Sequence, residues 1–238
     1  MKSRYFLLLL AAGIFSWQTS SAWADGTNQM RMVQIANLLH ARDEGDQAKG
    51  RAMLGEAHVE EGALIALLDD ITMRTNEPAV VSAAITILGA VRSTNAVNRI
   101  AKLLAYNEET GLDFKEEDWF RGRRKDGMPS SYAYFRCPAR EALVRIGQPS
   151  VHAILRHIAQ GQWKTEDFSS PEYQWSKEKY NYAHFLAVVV MSELLGHDRE
   201  KMFAEIEEYG KTLMLADEQH RLAEFLSFCK AWKSPQKR

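Results

Sequence analysis

The side chains that could do acid–base, thiol or metal chemistry are spread along the chain: His152 and His157, His184, His197, His220, Cys137, Cys229, and the acidic runs Glu116-Glu117-Asp118 and Glu166-Asp167. A zinc-protease helix carries two histidines at i and i+4 with a Glu between them. His152 and His157 are five residues apart, which on a helix turns their side chains about 140° away from one another. They are therefore expected at a surface or an edge and not as ligands. His184, His197 and His220 show no cysteine or carboxylate at ligand spacing. The chain has no Cys-x-x-Cys pair, no Gly-x-Ser-x-Gly elbow, no phosphate-cradling glycine loop and no dinucleotide fingerprint. Neighbouring carboxylates are most often solvent-facing charges. The expectation is no catalytic residue, no metal and no cofactor.

Two stretches carry residues of recognition chemistry instead. Between Asn107 and Arg136 the chain loses sustained periodicity, and Trp119-Phe120 is followed at once by Arg121, Arg123 and Arg124. Guanidinium groups beside aromatic rings recognise carboxylates or phosphates. The alternative is a solvated loop whose opposite charges pair with one another. From Trp163 to Tyr182 a second stretch is rich in aromatics, with Trp163, Tyr173 and Trp175 near Glu166 and Asp167. Such rings can line a ligand groove or stack on sugars, and they also pack beneath long connections.

The elements that must position these residues begin after a segment of another kind. Lys2 and Arg4 precede an apolar run from Tyr5 to Phe15, and Ala22-Trp23-Ala24 places small residues where a signal peptidase reads. Residues 1–24 are therefore expected to be a cleaved signal peptide, with export to the bacterial periplasm. The run is too short for a membrane anchor, and no later stretch is long and apolar enough to span. Cleavage removes two of the 30 basic groups and none of the 31 acidic ones, a net charge of −3. That balance argues against nucleic-acid partners. In an oxidising compartment Cys137 and Cys229 could join as a disulfide; the alternative is two buried free thiols.

Residues 25–233 read as one domain of helices, followed by a basic tail at 234–238. Met32, Ile35, Ala36 and Leu39 form one apolar stripe, with Asn28 as its expected cap. Leu64, Leu67, Leu68 and Ile71 line a second helix, predicted to run from Val59 to Met73. Asn76-Glu77-Pro78 is the expected start of a third, because asparagine caps free amides and proline is tolerated in a first turn. From Arg136 to Gln160 two short helices meet at Gly147-Gln148-Pro149.

The helices on either side of the insertion repeat. Ala84, Ile87, Leu88 and Val91 fall on Ala139, Ala142, Leu143 and Ile146, each 55 residues on; Val97, Ile100 and Leu104 fall on Val151, Ile154 and Ile158, each 54 on. A hairpin that buries its face only by stacking on a neighbour is the physical meaning of such recurrence. The stretch ALVRIGQPSVHAILRHI resembles the HEAT repeat family in its alanine-rich first helix, its Gly/Pro turn and its Val-x-x-Leu second helix. The resemblance implies an all-α fold, a short α-α solenoid of helical hairpins with one long insertion at 107–136. Because insertions in such arrays emerge on one face, often the binding face, the expected function is a scaffold that binds a protein partner, with Trp119, Phe120, Arg121, Arg123 and Arg124 as contacts. The alternative is a small-molecule or glycan binder or hydrolase using Trp163, Glu166, Asp167, Tyr173 and Trp175.

Overall fold

A computed structural model of the chain describes residues 26–41, 43–57, 60–104, 106, 137–162 and 182–231. The fold is all-α: among the described residues there are eleven helices and no strand. They are α1 (Gly26–Leu39), α2 (Glu44–Glu56), α3 (Glu61–Asp69), α4 (Ile71–Asn76), α5 (Pro78–Ala90), α6 (Val97–Lys102), α7 (Pro138–Ile146), α8 (Pro149–Ala159), α9 (Tyr182–Leu194), α10 (Arg199–Lys211) and α11 (Ala216–Ala231). None of the described helices is long and apolar enough to cross a membrane.

The caps differ from those expected on composition. Asn28 lies inside α1, and Asn76 is the last residue of α4. The side chains that cap are aspartates on extended backbone. Asp43 accepts from the Asp46 amide at 3.1 Å, Asp70 from Thr72 and Met73 at 2.8 and 3.1 Å, and Asp198 from Lys201 at 3.0 Å. Each satisfies donors that a first helical turn leaves open. Asp70 also divides in two, as α3 and α4, what the leucine stripe predicts as one helix.

The helices form two rows. In one, α1, α5, α7 and α9 touch in that order; in the other, α3, α6, α8 and α11 do. The core runs between them. Helix α6 makes its principal contacts with α3, α7 and α8 and not with α5, although only a short turn joins it to α5. The expected stripe on α1 is buried throughout: Met32, Ile35, Ala36 and Leu39 are at most 6% exposed. On α11 Leu222, Phe225 and Cys229 are buried likewise, against α8 and α10.

Helix α5 sits at the centre, and every residue from Val80 to Gly89 is buried. A helix buried on all sides carries no charged face, and PAVVSAAITILGA carries none. Its neighbours are α1, α3, α4 and α7. The approach to α7 is close: a Cβ built on Gly89 would lie 2.5 Å from Ala142 Cα and 2.6 Å from Ala142 Cβ. Backbone meets backbone there, and only hydrogen fits at position 89.

The α7–α8 turn shows why the Gly147-Gln148-Pro149 break takes this form. Gly147 has φ 94° and ψ −146°, a region that side-chain-bearing residues avoid. Its N–H donates to Leu143 O at 3.1 Å, and the Ser150 hydroxyl donates to the same carbonyl at 2.7 Å. Pro149 then opens α8 at a position whose missing N–H costs nothing. The α5–α6 turn reaches a similar end by other means: Arg92 takes φ 55°, and the Ser93 N–H closes on Leu88 O at 2.9 Å.

If the Gly89–Ala142 contact sets the helix spacing, Gly89→Ala lowers stability by about 1–3 kcal/mol through overpacking, although alanine is the better helix former. Gly62→Ala on α3, where a new Cβ meets nothing within 4 Å, leaves stability unchanged or raises it by up to about 1 kcal/mol. Urea-unfolding midpoints of the two variants distinguish the cases, and an equal response would remove the special role of Gly89.

Candidate functional site

The residues singled out for partner binding, Trp119, Phe120, Arg121, Arg123 and Arg124, lie outside the described residues, as do Trp163, Glu166, Asp167, Tyr173 and Trp175. What is described is the pair of points from which the first stretch departs and returns. Tyr106, 1% exposed, donates its hydroxyl to Arg74 O on α4 at 2.9 Å. Cys137, the residue before α7, donates its thiol to Leu104 O at 2.9 Å. Chain positions 104 and 137 are thus pinned one side chain apart, within the reach of about two extended residues.

The disulfide that was open on the sequence is not formed in this structure. Cys137 and Cys229 are both free and buried. Burial pushes the Cys137 thiol up to about 12, against smaller opposing contributions from nearby backbone amides and Arg140. Burial does the same to Cys229, also to about 12. Neither carries thiolate at neutral pH, so neither is a nucleophile here.

The histidines separate as helical geometry requires, with one correction. His152 is exposed on α8, its ring 5.8 Å from that of Tyr209. His157 is not a surface residue: it is 5% exposed, and its Nε2 contacts Asn98 O on α6 at 2.8 Å. Since a carbonyl only accepts, Nε2 carries the proton and donates. Burial lowers its pKa, with the Asn98 contact opposing. His220, read as lacking a carboxylate at ligand spacing, has Glu224 one turn on at 3.2 Å. Among the described residues no group of three His, Cys, Asp or Glu is placed to hold a metal ion.

The most connected polar site is one that reading along the chain missed. His40, just past the end of α1, places Nε2 2.9 Å from Thr86 Oγ1 on α5 and Nδ1 3.0 Å from Glu141 Oε2 on α7. Arg145, one turn beyond Glu141, stands 3.8 Å from the same carboxylate oxygen. Burial alone would raise the Glu141 carboxyl; the hydrogen bond and charge of His40, with Arg145 and Arg140 behind, outweigh it and hold the carboxyl below the usual range. The sequence separations are 46 and 101 residues, and no local pattern announces either contact.

No known protein family, curated protein or solved structure matches the chain. The functional reading therefore rests on the residues themselves.

Two surface features complete the description. A recess of about 310 Å³ opens beside the α5–α6 turn, lined by Glu61, Leu64, Leu88, Arg92 and Ser93 among others. The Ser93 hydroxyl there donates to Glu61 and accepts from the Ala96 amide. Its polar floor is already satisfied within the fold. In the turn between α10 and α11, Met214 and Leu215 are 96% and 62% exposed. The turn beneath them is fastened by Thr212 Oγ1 to Tyr209 O at 2.7 Å and by Gln219 Nε2 to Leu213 O at 2.7 Å.

One buried group makes stability depend on acid. His184 on α9 is 8% exposed, its ring 6.1 Å from that of Phe225 on α11, and burial lowers its pKa from 6.5 to about 4. The unfolded chain then binds the extra proton between those values, so stability is full above pH 6.5, falls as pH drops towards 4 and levels off below. The loss amounts to about 3 kcal/mol at 1.36 kcal/mol per pKa unit. Urea midpoints measured across this range should fall with acid in the natural chain and much less in His184→Gln. In the same samples both thiols should react with a thiol reagent only after unfolding.

Proposed function

We propose that this chain is an exported helical scaffold of the HEAT-repeat kind that binds a protein partner through the stretch 107–136. The observation that carries the reading is the stacking of equivalent helices. The first helices of the two in-phase units, α5 and α7, pack on one another, and so do the second helices, α6 and α8. Stacked helical units that bury their faces on each other leave insertions to emerge from one side of the array, where repeat scaffolds commonly bind.

The anchor points add to this. Leu104 and Cys137 meet by a hydrogen bond, so the stretch between them is a detour that the two rows of helices can lose without being pulled apart. Within it, Arg121, Arg123 and Arg124 offer planar, bidentate donors, and Trp119 and Phe120 offer large apolar rings. That combination is typical of the few residues that dominate protein interfaces. An acidic, partly apolar partner surface fits it.

The reading also includes export, since the first 24 residues have the three parts of a cleaved leader.

Two variants test binding separately from folding. Replacing 107–136 by a linker of about four residues should keep the far-UV circular dichroism and the urea midpoint close to those of the natural chain. Arg121, Arg123 and Arg124 exchanged together for Glu should keep the fold and lose a partner crosslinked through a photoreactive group at position 119. Crosslinking that survives the triple exchange sinks the assignment of the surface. Collapse of the shortened chain sinks the idea of a separable insertion. Mass analysis of the protein recovered from the periplasm should give a chain starting at Asp25; an uncleaved or cytoplasmic product would contradict export.

A further inference from the structure

We propose that His40 is a proton-responsive clamp: its two ring nitrogens fasten α1 to α5 and α7 at once, and its hold on α7 tightens when the ring is charged. Nδ1 faces the Glu141 carboxylate at 3.0 Å, an acceptor only, so Nδ1 carries a proton in either charge state. Nε2 faces the Thr86 hydroxyl at 2.9 Å. A hydroxyl can donate or accept. With the ring neutral, Nε2 accepts the hydroxyl proton; with the ring charged, Nε2 donates to the hydroxyl oxygen, which needs only to rotate. Thr86 therefore satisfies both states, and protonation breaks no hydrogen bond.

What changes is the contact with Glu141. A neutral imidazole donating to a carboxylate becomes a charge-assisted pair, roughly twice as strong. The charged groups around the ring come from each element packed against it. His40 follows the last turn of α1, where its amide donates to Ala36 O at 3.1 Å, and helix C-termini attract positive charge. Helix α5 brings no charged residue. On α7, Arg140 is engaged by Glu193 of α9, and Arg145 stands against Glu141 itself. The charged groups at the start of α2, the other element packed on α1, are Asp43, Glu44, Asp46 and Lys49, of which Asp46 and Lys49 pair at 3.1 Å.

The same three groups stand in the order of a hydrolase triad, hydroxyl to imidazole to carboxylate. Thr86 is only 3% exposed, in the middle of a helix covered by α1 and α7. That burial leaves its hydroxyl no opening for an incoming carbonyl. The geometry joins helices. Its consequence is mechanical, because α1 is the helix that covers α5 from one side, and the strength of its attachment sets how readily that apolar surface is uncovered.

Hydrogen exchange on the full mature chain tests the clamp, at about pH 5.5 and about pH 8, with intrinsic rates divided out. His40→Gln keeps an amide able to donate and accept. It should cost the α1 amides about tenfold or more of their protection at the lower pH, and clearly less at the higher, while α8 and α11 are unchanged. Glu141→Gln should remove the pH difference. Thr86→Val should weaken protection of α1 alike at both. Equal losses at both pH values in His40→Gln, a pH difference that persists in Glu141→Gln, or a loss spread over every helix would overturn the proposal.

Discussion

The spacing between α5 and α7 is set where Gly89 meets Ala142, and much else follows from that distance. With a Cβ-to-Cα separation of only 2.5 Å available at position 89, the two helices touch through their backbones. Close contact of this kind lets the small residues Ala83, Ala84 and Ala139 be fully buried without voids, because a wider gap would need larger side chains to fill it. It also keeps α7 near enough to the end of α1 for the His40 ring to reach Thr86 and Glu141 at once. A wider α5–α7 spacing would place Glu141 beyond His40.

Apart from Thr86 and Glu141, which meet His40, the polar contacts named above lie mostly at the ends of helices. Asp43, Asp70 and Asp198 satisfy first-turn amides. The Ser93 hydroxyl accepts from the Ala96 amide at the start of α6, and the Ser150 hydroxyl ties the α7–α8 turn back to α7. Arg199 donates to the carbonyl of Lys230 at 3.0 Å and stacks over Phe203 at 5.5 Å, which joins the start of α10 to the end of α11. Arg140 and Glu193 do the same between α7 and α9. Buried hydrogen-bonding groups must find partners, and in an array of short helices the termini are where most of them are.

Much of this was legible in order along the chain. Apolar stripes at three- and four-residue spacing located α1, α7 and α8, because burial of one face is a local pattern, and α5 was located by its apolar residues and its proline start. The paired positions Ala84 and Ala139, Ile87 and Ala142, and Leu88 and Leu143 are all buried, although on α5 every residue from Val80 to Gly89 is. The pair Val91 and Ile146 differs, at 48% and 8% exposed. Val91 has left the helix and lies in the turn that Arg92 closes with a positive φ, whereas Ile146 is still inside α7. Caps were misjudged because residue type alone does not make one. Asp43 and Asp70 cap since the chain arrives there extended, with ψ 129° and 106°, and Asn28 and Asn76 sit on helical backbone. The His40 site was out of reach for a different reason: it depends on three elements whose meeting is decided by packing, and nothing near position 40 records which residues will face it.

The central place of α5 has a consequence for how the structure comes apart. In an ideal linear array each unit touches only its neighbours, so units can open one at a time from either end. Here one helix touches α1, α3, α4 and α7 together, and four segments drawn from residues 26 to 146 share its surface. No one of them can leave without exposing apolar side chains of the rest. These four segments thereby share one apolar surface, whereas α10 and α11 are held chiefly to each other and to α8, the kind of edge that loosens at lower cost.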